Sequence, residues 1–166
     1  MKTTIGVIAD THGFLHPAAP RAFVGVDRII HAGDIGGPAV LHALEEIAPV
    51  IAVRGNYDLE PELQARLLPD PSQITLAGLP VLVTHRMITM DWNLNKPLYT
   101  QLFLALSPKP RLLIFGHTHF PVLEQLSSLL CLNPGYAGPD RREGPPTVAR
   151  LEIDGDNLSG QILQLD

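Results

Sequence analysis

Residues 5–12 read Ile-Gly-Val-Ile-Ala-Asp-Thr-His, a short apolar run that passes directly into polar side chains. Similar runs recur along the chain, rich in Val, Ile and Leu and bounded by Gly, Pro or Asp, a pattern typical of buried β-strands. The predicted strands are Thr4–Ala9, Arg28–Ala32, Val50–Val53, Ile74–Leu76, Val81–Thr84, Leu112–Phe115, Val122–Leu126, Leu129–Leu132, Val148–Ile153 and Gln161–Leu165.

Helical periodicity lies between several of these runs. Pro38–Ala48 and Leu94–Leu106 each place their apolar residues on one face, which predicts helices packed on a core. Weaker helical patterns cover His16–Val24 and Glu60–Leu67. The first part of the chain therefore follows a β-α-β-α-β order, and the last part is denser in strands. We expect an α/β fold in which sheet packs on sheet with helices outside.

The composition restricts the class of protein. A length of 166 residues predicts a single domain, residues 1–166. The net charge of −5 disfavours long nucleic acids and anionic membranes as partners. One Cys against seven His excludes a disulfide framework and a Cys-rich zinc site. Since no apolar run suits a signal peptide or a membrane span, we expect a cytoplasmic protein with a small-molecule substrate, which forms a homo-oligomer or acts alone.

Five of the predicted strands end in side chains of one chemical type. Because ligands of α/β sheets bind at the carboxyl ends of strands, these side chains are expected on one rim. Carboxylate, amide and imidazole ligands suit Mn, Fe, Co, Ni or Zn better than Ca. Seven candidates are too many for one tetrahedral ion and fit two ions that share a bridging carboxylate. The candidates are Asp10, His12, Asp34, Asn56, His85, His117 and His119.

The series Asp-x-His, Gly-Asp, Gly-Asn-x-Asp, His and Gly-His-x-His resembles the calcineurin-like metallophosphoesterase superfamily. The short chain and its Asn133-Pro134-Gly135 segment are similar to the compact bacterial and archaeal phosphodiesterase branch. The resemblance extends from Lys2 to about Ile153. It implies a four-layer sandwich of two mixed β-sheets flanked by α-helices, with a dinuclear metal centre on top.

The resemblance also implies a role for each candidate residue. The ligands of the first ion would be Asp10, His12 and His119, and those of the second Asn56, His85 and His117. Asp34 would bridge both ions, for which Mn is the first expectation and Fe, Ni, Co or Zn the alternatives. The implied reaction is hydrolysis of a phosphate ester by a metal-bridging water or hydroxide, with Asp34 and Asn56 as catalytic residues. Arg86 is a third catalytic candidate, which its own chemistry suggests and the resemblance does not.

Two positions depart from the family pattern. Many members have Gly-Asn-His-Asp, in which the His is thought to protonate the leaving group, whereas this chain has Tyr57. A positioned general acid is worth roughly 10²–10⁴-fold in rate, so we expect diesters to be cleaved better than monoesters. Asp58 is then expected to support the loop. After His85 the compact branch usually has Gly, and Arg86 stands here. A guanidinium at that point either clamps a phosphate oxygen or is an ordinary surface charge.

Other polar residues have less specific interpretations. We expect His31 to be buried and hydrogen-bonded, His42 to be a surface residue, and His16 either to border the site or to lie apart from it. The Met87–Trp92 loop is either a substrate wall or a packing element, and Arg141 and Arg142 either contact phosphate or lie in a solvated loop.

Three alternatives to a phosphodiesterase fit the sequence less well. The missing acid His and the apolar Met87–Trp92 loop suit a non-catalytic interaction scaffold, as in the retromer subunit that resembles this fold; the complete ligand set argues against it. A Rossmann-type nucleotide site is disfavoured because Asp10-Thr11-His12-Gly13 is not a Gly-rich phosphate loop. A TIM-barrel hydrolase is excluded because it needs roughly 200–250 residues.

Overall fold

The computed structural model describes residues 2–86, 105–139 and 144–166. Its strands are β1 (Thr3–Ile8), β2 (Arg28–His31), β3 (Val50–Ala52), β4 (Ser72–Leu76), β5 (Leu79–Thr84), β6 (Leu112–Phe115), β7 (Val122–Leu126), β8 (Leu129–Asn133), β9 (Thr147–Asp154) and β10 (Asn157–Gln164). Its helices are α1 (Ala19–Ala22), α2 (Pro38–Glu45) and α3 (Pro61–Gln64).

The strands form two mixed sheets of five strands each. The first has the order β10-β9-β1-β2-β3, in which β1, β2 and β3 are parallel and β9 runs antiparallel to β1. The second has the order β4-β5-β6-β8-β7, in which β5, β6 and β8 are parallel and the edge strands are antiparallel. The predicted α/β sandwich of two mixed sheets is confirmed.

The main core lies between the two sheets. Because side chains alternate along a strand, Ile5 and Val7 of β1 point toward the second sheet, where Val81 and Val83 of β5 belong to the same buried cluster. The outer face of the first sheet is covered by helices, with Leu44 of α2 fully buried against it. A third cluster covers the outer face of the second sheet. Packing on this shared core therefore fixes the position of one sheet relative to the other at the rim where the polar residues lie.

All ten predicted strands are present, with ends that differ by a few residues, but the helices are shorter than predicted. The helix predicted over Pro38–Ala48 begins at Pro38 and ends at Glu45. Pro49 disfavours helical backbone at the residue before it, which explains the early end. The patterns at His16–Val24 and Glu60–Leu67 give only the single turns α1 and α3.

Several sequence predictions concern residues that the structure does not describe. The Met87–Trp92 loop, Arg141 and Arg142 lie outside the described residues, as does nearly all of the predicted helix Leu94–Leu106. Among the helices in the described ranges, none is long and apolar enough to cross a membrane.

Candidate metal centre

The carboxyl ends of five parallel strands meet along one rim of the sandwich. In the first sheet, Asp10 and His12 follow β1, Asp34 follows β2 and Asn56 follows β3. In the second sheet, His85 follows β5, and His117 and His119 follow β6. Thus both sheets supply the seven side chains singled out in the sequence, which are Asp10, His12, Asp34, Asn56, His85, His117 and His119.

Six of these residues form two compact triads. Within each triad, one ligand-type atom from every residue lies within 4.8 Å of the other two. The first triad is Asp10, His12 and His119, and the second is Asp34, His85 and His117.

Asp34 faces both triads. Its Oδ2 atom lies 3.3 Å from Nε2 of His85 in the second triad and 3.9 Å from Nε2 of His12 in the first. The seventh candidate, Asn56, lies beside the second triad, with Oδ1 3.0 Å from Nε2 of His85. This is the arrangement that a carboxylate shared between two ions requires.

The donor chemistry of the second triad fits a cation. Nδ1 of His85 lies 2.8 Å from the carbonyl oxygen of Ala32, to which it donates its proton. In the neutral ring, Nε2 then carries a lone pair, and it faces the acceptor oxygens of Asp34 and Asn56. Three lone pairs that converge in this way are reconciled only by a positive charge between them.

The first triad shows the same property. Asp10 is fully buried. One of its carboxylate oxygens, Oδ2, accepts the backbone N–H of His117 at 3.0 Å. The other, Oδ1, has no hydrogen-bond partner and lies 3.4 Å from Nε2 of His119. A buried carboxylate oxygen without a donor is costly, and a divalent ion bound by the triad would satisfy it.

Ionisation in the second triad reflects this geometry. Burial acts to raise the pKa of Asp34, but hydrogen bonds from His85 and from the N–H of Tyr57 outweigh it, and the net pKa is lowered. Burial acts to lower the pKa of His85, but the hydrogen bond to Asp34 and the charge of Asp10 outweigh it, and the net pKa is raised. Both shifts favour the ionised pair, so in the metal-free protein a proton on Nε2 of His85 would supply the positive charge that a metal ion would otherwise supply.

The backbone of the site is unusual. Seven non-glycine residues in the described ranges have a positive φ, and five of them are candidate ligands. Left-handed backbone is rare for residues with a side chain, and it concentrates at functional sites. The five are Asp10 (φ 53°), His12 (47°), Asp34 (54°), His117 (67°) and His119 (63°).

Close approach of the ligand-bearing loops depends on two glycines. A Cβ atom on Gly55 would lie 2.0 Å from the backbone nitrogen of Asp34. A Cβ atom on Gly116 would lie 2.9 Å from Oδ2 of Asp10. Gly55 therefore lets the loop after β3 approach Asp34, which follows β2. Gly116 likewise lets the loop after β6 approach Asp10, which follows β1.

Two carboxylates outside the ligand set hold these loops. Asp58, fully buried, accepts the N–H groups of Gly36 and Gly55 at 2.9 and 2.8 Å, so it joins the loops after β2 and β3. Asp70 accepts the hydroxyl of Thr84 at 2.7 Å and the N–H of His85 at 2.9 Å. Asp58 was expected to support its loop; the role of Asp70 was missed, because nothing in the local sequence marks it.

A third supporting residue follows β8. The side-chain amide of Asn133 donates to the carbonyl oxygen of Gly116 and to the hydroxyl of Thr118, both at 3.0 Å. These bonds fix the loop that carries His117 and His119. The Asn-Pro-Gly segment was recognised in the sequence, but its structural role was not.

The other histidines have different surroundings. His31 is fully buried, and its Nε2 lies 2.9 Å from Oγ1 of Thr11. Burial, followed by the positive charge of His85, lowers the pKa of His31 to about 3, so this ring is neutral. His42 is exposed on α2, as predicted, and His16 lines a cleft considered below.

The two departures from the family pattern lie at the edge of the site. The ring of Tyr57 is 68% exposed, and its centroid lies 5.6 Å from that of His12. Arg86 is exposed, and its backbone N–H donates to Asp70 at 3.4 Å. Burial, the charge of His85 and then the charge of Arg86 lower the pKa of His117, which indicates that the guanidinium acts on the second triad.

Comparison with known proteins assigns the family. Residues 3–156 match the calcineurin-like phosphoesterase superfamily domain, and the chain belongs to this superfamily. A probable metallophosphoesterase of Methanothermobacter thermautotrophicus is 33% identical, and the match covers 96% of this chain and 91% of the relative. Phosphodiesterase YfcE of Escherichia coli is 30% identical, and the match covers 88% of this chain and 85% of the relative.

A solved structure adds information on the fold alone. Vps29 of Chaetomium thermophilum has a TM-score of 0.77 and 19% sequence identity, and the match covers 99% of this chain and 86% of that one. At this identity, the similarity describes the arrangement of strands and helices and carries no information on activity.

Proposed function

We propose that the protein is a phosphodiesterase that hydrolyses a small phosphodiester with two divalent metal ions, acting as one domain over residues 1–166. The observation that supports this most directly is Asp34, whose carboxylate faces both triads at distances of 3.3 and 3.9 Å. A carboxylate between two sets of imidazoles is the donor arrangement of a dinuclear centre. The family and its phosphodiesterase relatives support the same reaction class.

Each ion would be held by side chains already directed at one point. When bound, such ions supply a water of lowered pKa as nucleophile and neutralise charge on the phosphoryl oxygens. The first would bind Asp10, His12 and His119, the second would bind Asn56, His85 and His117, and Asp34 would bridge them, with Mn²⁺ as the first choice and Fe, Ni, Co or Zn as alternatives.

The chain contributes orientation and charge to this reaction. The N–H of Tyr57 donates to Oδ1 of Asp34 at 2.9 Å, which leaves Oδ2 directed at the triads. The side chain of Asn56 would hold the second ion and contact a phosphoryl oxygen. Arg86, whose charge acts on the second triad, would clamp a further phosphoryl oxygen.

Preference for diesters follows from the missing acid. The residue beside Asn56 is an exposed tyrosine, and the carboxylate of Asp58 is engaged by two backbone N–H groups. The chain therefore offers no imidazole to protonate a leaving oxygen at this position, which penalises poor leaving groups most.

The decisive experiment loads the chelated protein with Mn, Fe, Co, Ni or Zn. Metal content is measured for each, together with hydrolysis of matched p-nitrophenyl diesters and monoesters. Two ions per chain and a higher kcat/KM for the diester are expected. Two bound ions without turnover of any ester would contradict the proposal.

The second candidate is a non-catalytic scaffold on the same fold. It is motivated by the absent acid histidine, since Tyr57 occupies that position. The completeness of both triads argues against it, and the buried, unpaired Oδ1 atom of Asp10 would weaken a fold that does not use it. The same metal-loading experiment separates the two, because a scaffold binds ions without hydrolysing esters.

A further inference from the structure

The exposed aromatic residues of the described ranges all lie beside the candidate metal centre. They are Phe14, Tyr57 and Phe120, and each follows a candidate ligand by one or two positions. The other phenylalanines in these ranges are buried in the core. Each Å² of apolar ring surface that stays exposed to water forgoes roughly 25 cal/mol of the stabilisation that its burial would give. Of the three, Phe14 also lines a cleft, where a bound ligand would cover its ring.

Phe14 occupies a defined place next to the first triad. Its backbone N–H donates to the carbonyl oxygen of Thr11 at 2.9 Å, which closes the turn that carries His12. Its ring meets the ring of His16 edge to face, with 6.2 Å between centroids and an angle of 86°. Phe14 and His16 line one side of a cleft of about 410 Å³.

The other walls of the cleft lead back to the same triad. They include Gly138 and Pro139, which follow Tyr136 closely in the chain. The ring of Tyr136 is buried and packs on that of His119, with 4.8 Å between centroids and an angle of 32°. The cleft is therefore bounded by the segment that follows His12 and by the segment that follows Tyr136, whose ring packs on His119.

The chemistry of the cleft favours a flat, uncharged group. The aromatic ring of Phe14 and the apolar rings of Pro17, Pro139 and Pro146 line the cleft. Asp166, the charged residue of the lining, is a carboxylate that would repel further phosphates and accept an N–H from a heterocycle. The net charge of −5 also disfavours a long polyanion.

We propose that this cleft binds the base of a nucleoside esterified to the scissile phosphate, so that the substrates are small nucleotide diesters. The inference rests on the phosphodiesterase function proposed above and adds the class of substrate. Bases stack on aromatic side chains with little dependence on sequence, and each stack is worth roughly 1–3 kcal/mol.

The test compares two diesters with the same leaving group. The metal-loaded protein is assayed with thymidine 5′-(p-nitrophenyl phosphate) and with methyl p-nitrophenyl phosphate. Because both release p-nitrophenol, the chemistry at phosphorus is matched and the second ester group differs. We expect kcat/KM to be about tenfold higher for the nucleoside ester, or about 1.4 kcal/mol. Thymidine 5′-monophosphate should also inhibit at lower concentration than methyl phosphate.

Variants at Phe14 test whether the cleft causes the preference for the nucleoside ester. In Phe14→Ala the ratio of the two kcat/KM values should fall toward one, and in Phe14→Trp it should be kept. Val24→Ala is the control, because Val24 is 70% exposed and belongs to neither the cleft nor the triads.

The outcomes separate the two proposals. Equal kcat/KM for the two diesters with the wild-type protein, or equal inhibition by the two monophosphates, would overturn the nucleoside inference and leave the phosphodiesterase function standing. The same would follow if Phe14→Ala lowered both kcat/KM values by one factor. No turnover of either diester by the protein with two bound ions would overturn the function itself.

Discussion

The Oδ2 atom of Asp34 lies 3.3 Å from Nε2 of His85, and both side chains are almost completely buried although they come from different sheets. The pair joins the carboxyl end of β2 to that of β5. A buried charge pair is tolerated only when its remaining lone pairs are satisfied, and here one hydrogen bond reaches Asp34 from Tyr57 and one joins His85 to Ala32. Metal binding and the junction between the sheets thus depend on the same contact.

The first prediction concerns the bridging carboxylate. Asp34→Asn should lower kcat/KM for a diester by about 100-fold or more, because the neutral amide weakens the hold on both ions. Metal content should fall below two ions per chain. Asp156→Asn is the control, since Asp156 is exposed and pairs with Arg111 away from the centre. Wild-type turnover by Asp34→Asn would refute the bridging role.

The second prediction is a pH dependence of metal binding. The raised pKa of His85 means that it keeps its proton to a higher pH than an ordinary histidine, and an ion must displace that proton. Mn²⁺ affinity should therefore be greatest well above neutrality and fall by on the order of tenfold per pH unit once the pH drops below the pKa of His85, which is raised from the ordinary value of 6.5. Calorimetry in buffers of different ionisation enthalpy measures both the affinity and the proton released. Constant affinity between pH 8 and pH 5 would contradict neutral imidazole ligands.

The third prediction tests the missing acid. Tyr57→His should raise monoester hydrolysis, because an imidazole is a better proton donor near neutral pH than a phenol. The gain should be about tenfold, below the roughly 10²-fold of a well-positioned acid, since the carboxylate of Asp58 is already bound to Gly36 and Gly55 and does not orient the new ring. Rates are measured for a monoester and a diester with Tyr57→Phe as the comparison. Equal monoester rates for the two variants would count against this explanation.

The candidate ligands could be singled out in the sequence because each lies within a few residues of the end of a predicted strand. A strand end is visible as the point where an apolar run stops, and parallel strands bring such points to one rim. The chain after β1, for example, passes from Ala9 to Asp10 and His12 without an intervening loop. The left-handed backbone of these ligands was not predictable, since it is imposed by hydrogen bonds such as that from the N–H of His12 to the carbonyl oxygen of Asp34.

Supporting contacts were less visible because they depend on tertiary structure. Asp70 precedes β4, and its carboxylate reaches the end of β5, a pairing with no local sequence signal. The packing of Tyr136 on His119 likewise joins segments that are separate in sequence. Helix lengths were overestimated because apolar periodicity extends to Ala48, whose backbone Pro49 restricts, whereas the helix ends at Glu45.

The fourth prediction concerns stability in acid. The pKa of His31 is lowered from 6.5 to about 3, first by burial and then by the charge of His85. Between these values the unfolded chain binds one more proton than the folded chain, so the free energy of unfolding falls as pH falls. The contribution of His31 to this slope is about 1.4 kcal/mol per pH unit.

Denaturant unfolding of the metal-free protein at pH 7, 6 and 5 measures this slope. His31→Gln should reduce it, because glutamine does not titrate. His42→Gln is the control, since His42 is an exposed histidine on α2, and its slope should match that of the wild type. Identical slopes for His31→Gln and the wild type would show that His31 charges in the folded state.

The fifth prediction assigns a positioning role to Asp70. Its carboxylate accepts the hydroxyl of Thr84 at 2.7 Å and the N–H groups of His85 and Arg86 at 2.9 and 3.4 Å. Asp70→Ala removes all three bonds at the end of β5, so the backbone that carries His85 loses its anchor. We expect one of the two Mn²⁺ ions to bind about tenfold more weakly, while the other, held by the first triad, keeps its affinity.

Titration of each variant with Mn²⁺, followed by calorimetry, separates the two affinities. Asp27→Ala is the matched control, because Asp27 is also exposed and accepts a backbone N–H, from Thr4 at 2.7 Å, next to the opposite end of β1. That variant should bind both ions as the wild type does. Equal weakening of both ions by Asp70→Ala would indicate a general loss of stability, and no weakening would show that β5 holds His85 in place without this carboxylate.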